Sequence, residues 1–514
     1  MKTTEPGLSG GGHLAAKPTD DDEAGMDRLS ALPNSVLLHI LAGLGDAATA
    51  GRTSVLSSRW RRLWALLPEL RFVPLSPEPG LIASALAAHE AELRHLDVTT
   101  QDAAPEPVAA WLRVAARRLS GILVFTNQTL MGRDDDADAD GEGRSAFDER
   151  PRRRGAARDD VDVDDAQGPG AFELPCLDRA TSVSLDLGRL GLTVPRAGAF
   201  AQLTELSLSR ARLPVGGGGP CTLGDAVSSR RCPSLQTLTV SDAWGLDELT
   251  VHSDSLRRME LTRVRDLRRL AVVAPALEHL QVLACFYNHW QRRPIATITA
   301  RQLKVLKWGD LFDRRSVQLG KMKHLRKVCL DLFFVYAFSP NQGCLELLRC
   351  FNNIQKLGLT LVYPPEINNK PCLLKDMKML PGVTVLNLDL ISNGHAFGAS
   401  LFHVLRLCSG TRKLTLHISS NSLEEQTACP PGCICDEQQD WKFEELLLNH
   451  LQEVEITELR GSEHEVMFVK HLLIWATELK KMTTFFNSLV TESMARKSYQ
   501  ILRRFSRREI CMEF

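Results

Sequence analysis

Residues 235–282 read LQTLTVSDAWGLDELTVHSDSLRRMELTRVRDLRRLAVVAPALEHLQV. The pattern L-x-x-L-x-[LVI] opens this stretch as LQTLTV at Leu235 and returns as LRRMEL at Leu256 and LEHLQV at Leu277, 21 residues apart each time. Half-way between stand LDELTV at Leu246 and LRRLAV at Leu267, so a weaker copy follows every ten or eleven residues. Apolar residues alternating with polar ones is the signature of a short strand with one buried face. A strand and a return element every 20–29 residues cannot bury their apolar side alone and must stack on neighbours.

Working outward, the same pattern starts at Leu203, Leu303, Leu325, Ile354, Val383, Thr411 and Leu451. The later spacings stretch to the high twenties and leave room for a helix on the convex side. A doubly wound α/β sheet would want longer strands and longer regular helices. Towards the N-terminus, Leu81–Leu96 has helical spacing and ends in LRHLDV, a first strand-like piece. A second helix is expected over Val108–Leu119, leading into GILVFTN. Residues 1–26 are rich in Gly, Asp and Thr. Residues 131–170 carry thirteen acids and seven arginines with almost no bulky apolar residue. Both segments are expected to be disordered, since they bury too little surface to offset backbone ordering. The cluster Arg150-Pro151-Arg152-Arg153-Arg154 is open to two readings, a nuclear-localisation signal or part of a charge-balanced loop.

Composition excludes several classes. The 514 residues leave room for two to four domains. The 62 basic and 62 acidic residues cancel, which argues against a chain built to grip nucleic acid. No apolar run approaches 18 residues, and residues 1–26 lack a secretory h-region, so neither a membrane span nor a signal is expected. Thirteen cysteines, an odd number, fit reduced thiols of cytoplasm or nucleus better than a disulfide frame, and the sequon at Asn127 is expected to stay unmodified.

Residues 27–72, DRLSALPNSVLLHILAGLGDAATAGRTSVLSSRWRRLWALLPELRF, break from the strand pattern. A Leu-Pro stop at Leu32-Pro33 precedes apolar residues at Val36, Leu37, Ile40, Leu41 and Leu44. Trp60, Leu63, Trp64 and Leu67 mark a further helical face. Three short helices bury little by themselves, so some of this apolar surface waits for a partner.

The LP…LL..IL..L…TS.LS.RWR.LW pattern resembles an F-box. The repeats resemble the leucine-rich repeats (LRR) of plant F-box/LRR proteins, including Ala-Pro-Ala-Leu-Glu-x-Leu at 274–280. Cys429-Pro430-Pro431-Gly432-Cys433-Ile434-Cys435-Asp436, Trp441 and the run from Leu446 to Phe486 resemble an FBD domain. Leu451, Val454, Ile456, Glu465, Phe468, Leu472, Leu473, Ala476, Leu479 and Met482 fall at its expected positions. The resemblance implies an α/β chain: a three-helix F-box over 27–72, first LRR-like elements over 73–130, leucine-rich repeats over 171–420, and an FBD strand-helix cap over 421–490. A C-terminal tail would occupy 491–514.

The resemblance further implies the substrate-recognition subunit of an SCF-type (Skp–cullin–F-box) ubiquitin ligase, itself non-catalytic. The partners would be a Skp-type adaptor, through it a cullin–RING ligase, and an unknown protein substrate, with no nucleic acid and no membrane. Carried over residue by residue, the adaptor contacts would be Leu32, Pro33, Leu37, Ile40, Leu41, Ser57, Trp60 and Trp64. Asn34 stands where an acidic residue is usual, and Ser58 where Arg is common. Alternatives are a small-molecule, hormone-type co-receptor and a scaffold that drives no degradation.

No nucleophile elbow, H-E-x-x-H pair or phosphate loop is present, and the Gly216–Gly219 run reads as a flexible loop, so no catalytic residue and no cofactor is expected. Cys429, Cys433 and Cys435 with His450 suggest zinc, but lack a second knuckle pair, so no metal is assigned. The solvent-facing strand positions include Arg257, Arg258, Lys304, Lys307, Arg326 and Lys327. They are either a basic stripe for an acidic or phosphorylated substrate, or ordinary solvated strand faces. Trp308 joins them as a candidate substrate contact. Together with Phe286, Tyr287 and Trp290 it would either anchor a partner or wall the solenoid.

Overall fold

The computed structural model describes residues 32–73, 79–129, 170–214, 221–286, 295–310, 312–337, 342–351, 353–368, 370–419, 433–437 and 446–513. The N-terminal segment 1–26, the charged insertion short of Gly170, the Gly216–Gly219 run, Tyr287, Trp290 and Cys429 lie outside the described residues.

The described residues open with three short helices, α1 (Asn34–Ala42), α2 (Ala47–Arg52) and α3 (Trp60–Leu63), with a tight 3-10 turn at Thr53–Val55. Strand β1 (Glu69–Phe72) then starts a sheet that runs through the rest of the molecule. Helices α4 (Pro79–Ala88) and α5 (Pro105–Ala116) alternate with β2 (Leu93–Gln101) and β3 (Leu119–Gln128). All sixteen strands of this sheet are parallel to their neighbours and follow chain order. Such a sheet arises when each repeat lays its strand beside the previous one.

All ten repeat motifs form strands of this sheet. They are Glu205–Ser209, Thr237–Ser241, Arg258–Thr262, His279–Leu283, Val305–Gly309, Lys327–Phe334, Lys356–Val362, Val385–Ile391, Lys413–Ser419 and Glu453–Leu459. In each, the two apolar positions of the L-x-L ending point inward, as with Leu280 and Val282, fully buried. The half-way copies make Glu248–His252 and Arg269–Val273, which pair in a separate four-stranded parallel sheet with Ile295–Thr299 and Val317–Leu319. A two-sided solenoid results where repeats are short. Where spacing widens, helices such as Gln342–Arg349 and Gly398–Leu407 take the return path.

A corner recurs at the strand ends. Arg210, Asp242, Arg263 and Ala284, one register row, have φ of 49°, 49°, 49° and 52°. Left-handed backbone costs a non-glycine residue about 1–2 kcal/mol. Two of the corners are held by forked ion pairs: Arg210 donates to Asp186 at 2.6 and 2.8 Å, and Arg263 to Asp242 at 2.5 and 2.8 Å. At the β2–β3 irregularity, Gly121 lets the backbone come so close that a Cβ there would sit 2.0 Å from the Arg94 carbonyl oxygen. Near the end of β3, Asn127 is buried. Its Oδ1 accepts from Thr100 and the Ala103 N–H, and its amide donates to Leu187, so the sequon side chain is engaged in the interior.

The C-terminal expectation needs correcting. A strand (Glu453–Leu459) and a helix (Glu463–Trp475) follow one another there, and a capping box starts the helix. Glu465 accepts from the N–H groups of Arg460, Gly461 and Ser462 at 2.9, 2.7 and 3.1 Å, although burial pushes its carboxyl up. The solenoid does not end there. Lys481–Phe486 adds a strand, helix Glu492–Arg503 follows, and Cys511–Glu513 pairs parallel to Lys481–Thr483. Residues 491–513 are one further repeat rather than a tail. Ala495 and Leu502, seven apart on one helix face, carry its core contact.

Candidate functional site

Two surfaces are candidates: the outer face of the N-terminal helices and the outward row of the strands. In the helical module, Asp46 caps α2 by accepting from the Thr49 N–H at 2.8 Å. Arg59 ties the entry of α1 to the approach of α3, donating to Asn34 Oδ1 at 2.8 Å and to the Leu32 carbonyl at 2.6 Å. Asn34 thus supplies the acceptor that an acidic residue would.

The apolar stripe of α1 divides into two faces. Leu37 and Leu41, four residues apart, are buried with Trp60 and Leu63 in a core continuous with that of the solenoid. Val36 and Ile40 recur with the same spacing about 100° round the helix, Leu44 follows in the turn past its end, and each is about 40 % exposed. Val55 and Leu56, on the turn after α2, are 87 % and 60 % exposed. Of the residues read as adaptor contacts, Ile40 and Pro33 face solvent, and Leu32, Ser57 and Trp64 are half-buried. Leu37, Leu41 and Trp60 are corrected to core residues: α1 has two apolar faces and turns one to its own protein, and Trp60 at the start of α3 packs in the same core. Val36, Leu44, Val55 and Leu56 are the outward residues that reading missed; an apolar pair with no periodic partner at 55–56 was their signal.

Hydrogen bonds join the module to the solenoid. Glu90 and Ala91 N–H groups donate to the Ala65 carbonyl at 2.9 and 3.1 Å, and buried His89 places Nε2 2.8 Å from the Leu67 carbonyl. Burial lowers the His89 pKa below its ordinary 6.5.

On the sheet, Arg257, Glu278, Lys304 and Arg326 form one backbone-bonded row: each N–H from Glu278 onward donates to the preceding carbonyl at 2.8–3.0 Å. The basic stripe is interleaved with acids. Lys304 pairs with Glu278 at 2.7 Å and Arg258 with Glu260 at 2.7 Å. Lys307 and Lys327 lie on adjacent strands around Cys329, and among the described residues neither has a carboxylate at ion-pair distance. This face is a mixed-charge surface with a small basic centre.

Trp308 is corrected. It is 1 % exposed, its indole N–H donates to the Asp310 carbonyl at 2.9 Å, and its ring lies 6.3 Å from both Phe286 and Phe312. It occupies a leucine position of its strand, so alternation sends it inside, where it walls the solenoid.

Two further features are chemically distinctive. An open groove of about 580 Å³ is lined by Phe312, Arg314, Lys321, Lys323, Arg349 and Phe351 among others. Cys433 and Cys435 meet His395 in the interior. His450, the ligand suggested by sequence, is exposed at the turn before its strand.

Residues 166–324 match the family model described as the LRR repeats of the FBD-associated F-box protein At5g56370, and residues 445–483 match the FBD model. An F-box/FBD/LRR-repeat protein of Arabidopsis thaliana, At4g03220, is 28 % identical over 495 residues, 92 % of this chain and 91 % of its own. The Arabidopsis thaliana F-box/LRR-repeat protein At3g62440 is 24 % identical over 477 residues, 87 % and 91 % of the two chains. A shorter match, 51 % identical over 51 residues, joins 10 % of this chain to 11 % of the Arabidopsis thaliana F-box/FBD/LRR-repeat protein At2g04230.

Proposed function

We propose an adaptor role from the premise that this chain is an F-box/LRR-repeat protein of the plant type that carries an FBD segment. The helical module docks on a Skp-type adaptor, and the solenoid holds a protein substrate for a cullin–RING ubiquitin ligase. The observation that carries this reading is the outward apolar set Val36, Ile40, Leu44, Val55 and Leu56. Leaving such residues in water is unfavourable, and a hydrophobic groove on a partner relieves it. The thioester chemistry belongs to other subunits, and this chain contributes position. Its site of action is nucleus or cytoplasm, in keeping with twelve free cysteines among the described residues.

The test is capture of a Skp-type adaptor by the full chain. The double variant Val36→Asp/Ile40→Asp is expected to weaken binding by about 100-fold, roughly 2.7 kcal/mol, while the melting temperature holds. Unchanged binding by that folded variant rejects the docking surface. Leu37→Ala is a poorer probe, since it opens a cavity in the core at a cost of about 2–5 kcal/mol.

The basic groove at Arg314, Lys321, Lys323 and Arg349 favours a second reading, a co-receptor for a small anionic ligand. Mass spectrometry of small molecules extracted from the purified protein separates the two readings. A stoichiometric anion lost in Lys321→Ala/Lys323→Ala would favour the co-receptor.

A further inference from the structure

The end of strand Val385–Ile391 leads through Asn393 and Gly394, both in the left-handed region at φ 44° and 79°, to His395. That turn carries the imidazole into the interior, where it is 3 % exposed and stacks on Tyr363 with ring centres 6.1 Å apart. Its Nε2 lies 3.1 Å from the Pro365 carbonyl oxygen. A carbonyl only accepts, so Nε2 carries the proton and Nδ1 presents a lone pair. That lone pair faces two sulfurs: Cys433 Sγ at 3.6 Å and Cys435 Sγ at 3.7 Å, on residues 1 % and 4 % exposed.

We propose that His395, Cys433 and Cys435 form a metal site of the thiolate–imidazole type that takes Zn²⁺. The three ligand atoms lie within 4.8 Å of one another. A tetrahedral zinc with Zn–S of about 2.3 Å and Zn–N of about 2.0–2.1 Å has an N···S edge of about 3.6 Å. Both observed separations match that edge. Hydrogen bonding explains the pair less well, because one lone pair accepts well from one thiol and here two are equidistant. The carbonyl behind Nε2 is the outer partner that metal-bound histidines ordinarily have; it fixes the tautomer and the ring orientation. The Asn393 amide, donating to the Tyr363 carbonyl at 2.8 Å, holds the same turn. Three protein ligands leave one tetrahedral position for a further donor. Binding would release the two thiol protons, and the metal would staple residues 433–437, which precede the FBD strand, to a repeat some forty residues upstream.

The experiment uses the full chain purified under reducing, chelator-free conditions, with zinc and then cobalt as probes. Elemental analysis should give close to one zinc per chain. Replacement by Co²⁺ should produce the visible bands of a tetrahedral ion with thiolate charge-transfer absorption. Peptide mapping should show Cys433 and Cys435 shielded from alkylation and reactive after chelation. Cys433→Ser/Cys435→Ser should lose the metal, and His395→Cys should keep it with a more sulfur-rich cobalt spectrum. Wild-type protein that holds no zinc and gives no cobalt spectrum overturns the site. So does metal that survives in the double serine variant, or alkylation at 433 and 435 that ignores chelation. The last readout needs only the wild-type chain, so a variant that fails to fold does not shelter the proposal.

Discussion

The outer face of the N-terminal helices and the outward row of the strands are both solvent-facing, yet one is apolar and the other charged. On α1 and the turn that follows it, Leu37 and Leu41 fill the core while Val36, Ile40 and Leu44 stand outside. On the strands the inward row is leucine and valine, and the outward row holds Arg258, Glu260, Lys304 and Glu278 in ion pairs. The difference shows what each surface offers a neighbour: hydrophobic contact on one, charge on the other. Apolar residues left outside form a surface that a hydrophobic partner can cover. In the mixed-charge row most charges neutralise one another, and Lys307 and Lys327 are left with no carboxylate at ion-pair distance among the described residues.

The largest expected effect tests the boundary between inward and outward. Trp308→Ala should cost about 3–5 kcal/mol in chemical denaturation, because it empties a packed aromatic site, with adaptor capture unchanged. A loss under about 1 kcal/mol would return Trp308 to the surface and blur the comparison.

The joint between the two regions gives the next effect, through His89. Its folded-state pKa lies below the ordinary 6.5, chiefly because burial disfavours the imidazolium. The unfolded chain therefore takes up the proton first. The stability this group supports is complete above that value and is lost as pH falls through the folded-state pKa. Melting curves across that window should show the decline, and His89→Gln should flatten it. An unchanged slope in the variant would remove His89 from the joint.

The smallest effect is expected from Lys307→Glu/Lys327→Glu, within about 0.5 kcal/mol in stability, since both lie outside the core. Adaptor capture should not change. Capture of substrate, read by proximity labelling against wild type, should lose acidic partners. A large stability loss would mean that these lysines belong to the fold.

Much of the architecture was legible in the chain. The ten main starts from Leu203 to Leu451 became strands of the long sheet, because period-two alternation of leucine with polar residues has one stable arrangement when copies stack. The half-way copies at Leu246 and Leu267 were legible as strands, but their membership of a separate sheet was not, since nothing local says which neighbour a strand meets. The last repeat was missed because Cys511–Glu513 is only three residues long and draws its order from the strand beside it.

The sequence by itself determined the strand periodicity, the helical module and the presence of cysteines near the FBD strand. Tertiary structure decided direction and company: which of two apolar faces of α1 turns inward, that Trp308 sits inside, and that Cys433 and Cys435 meet His395 rather than His450. The physical reason is that periodicity is a property of neighbours in the chain. Burial and ligand geometry depend on contacts across tens of residues, which only packing supplies.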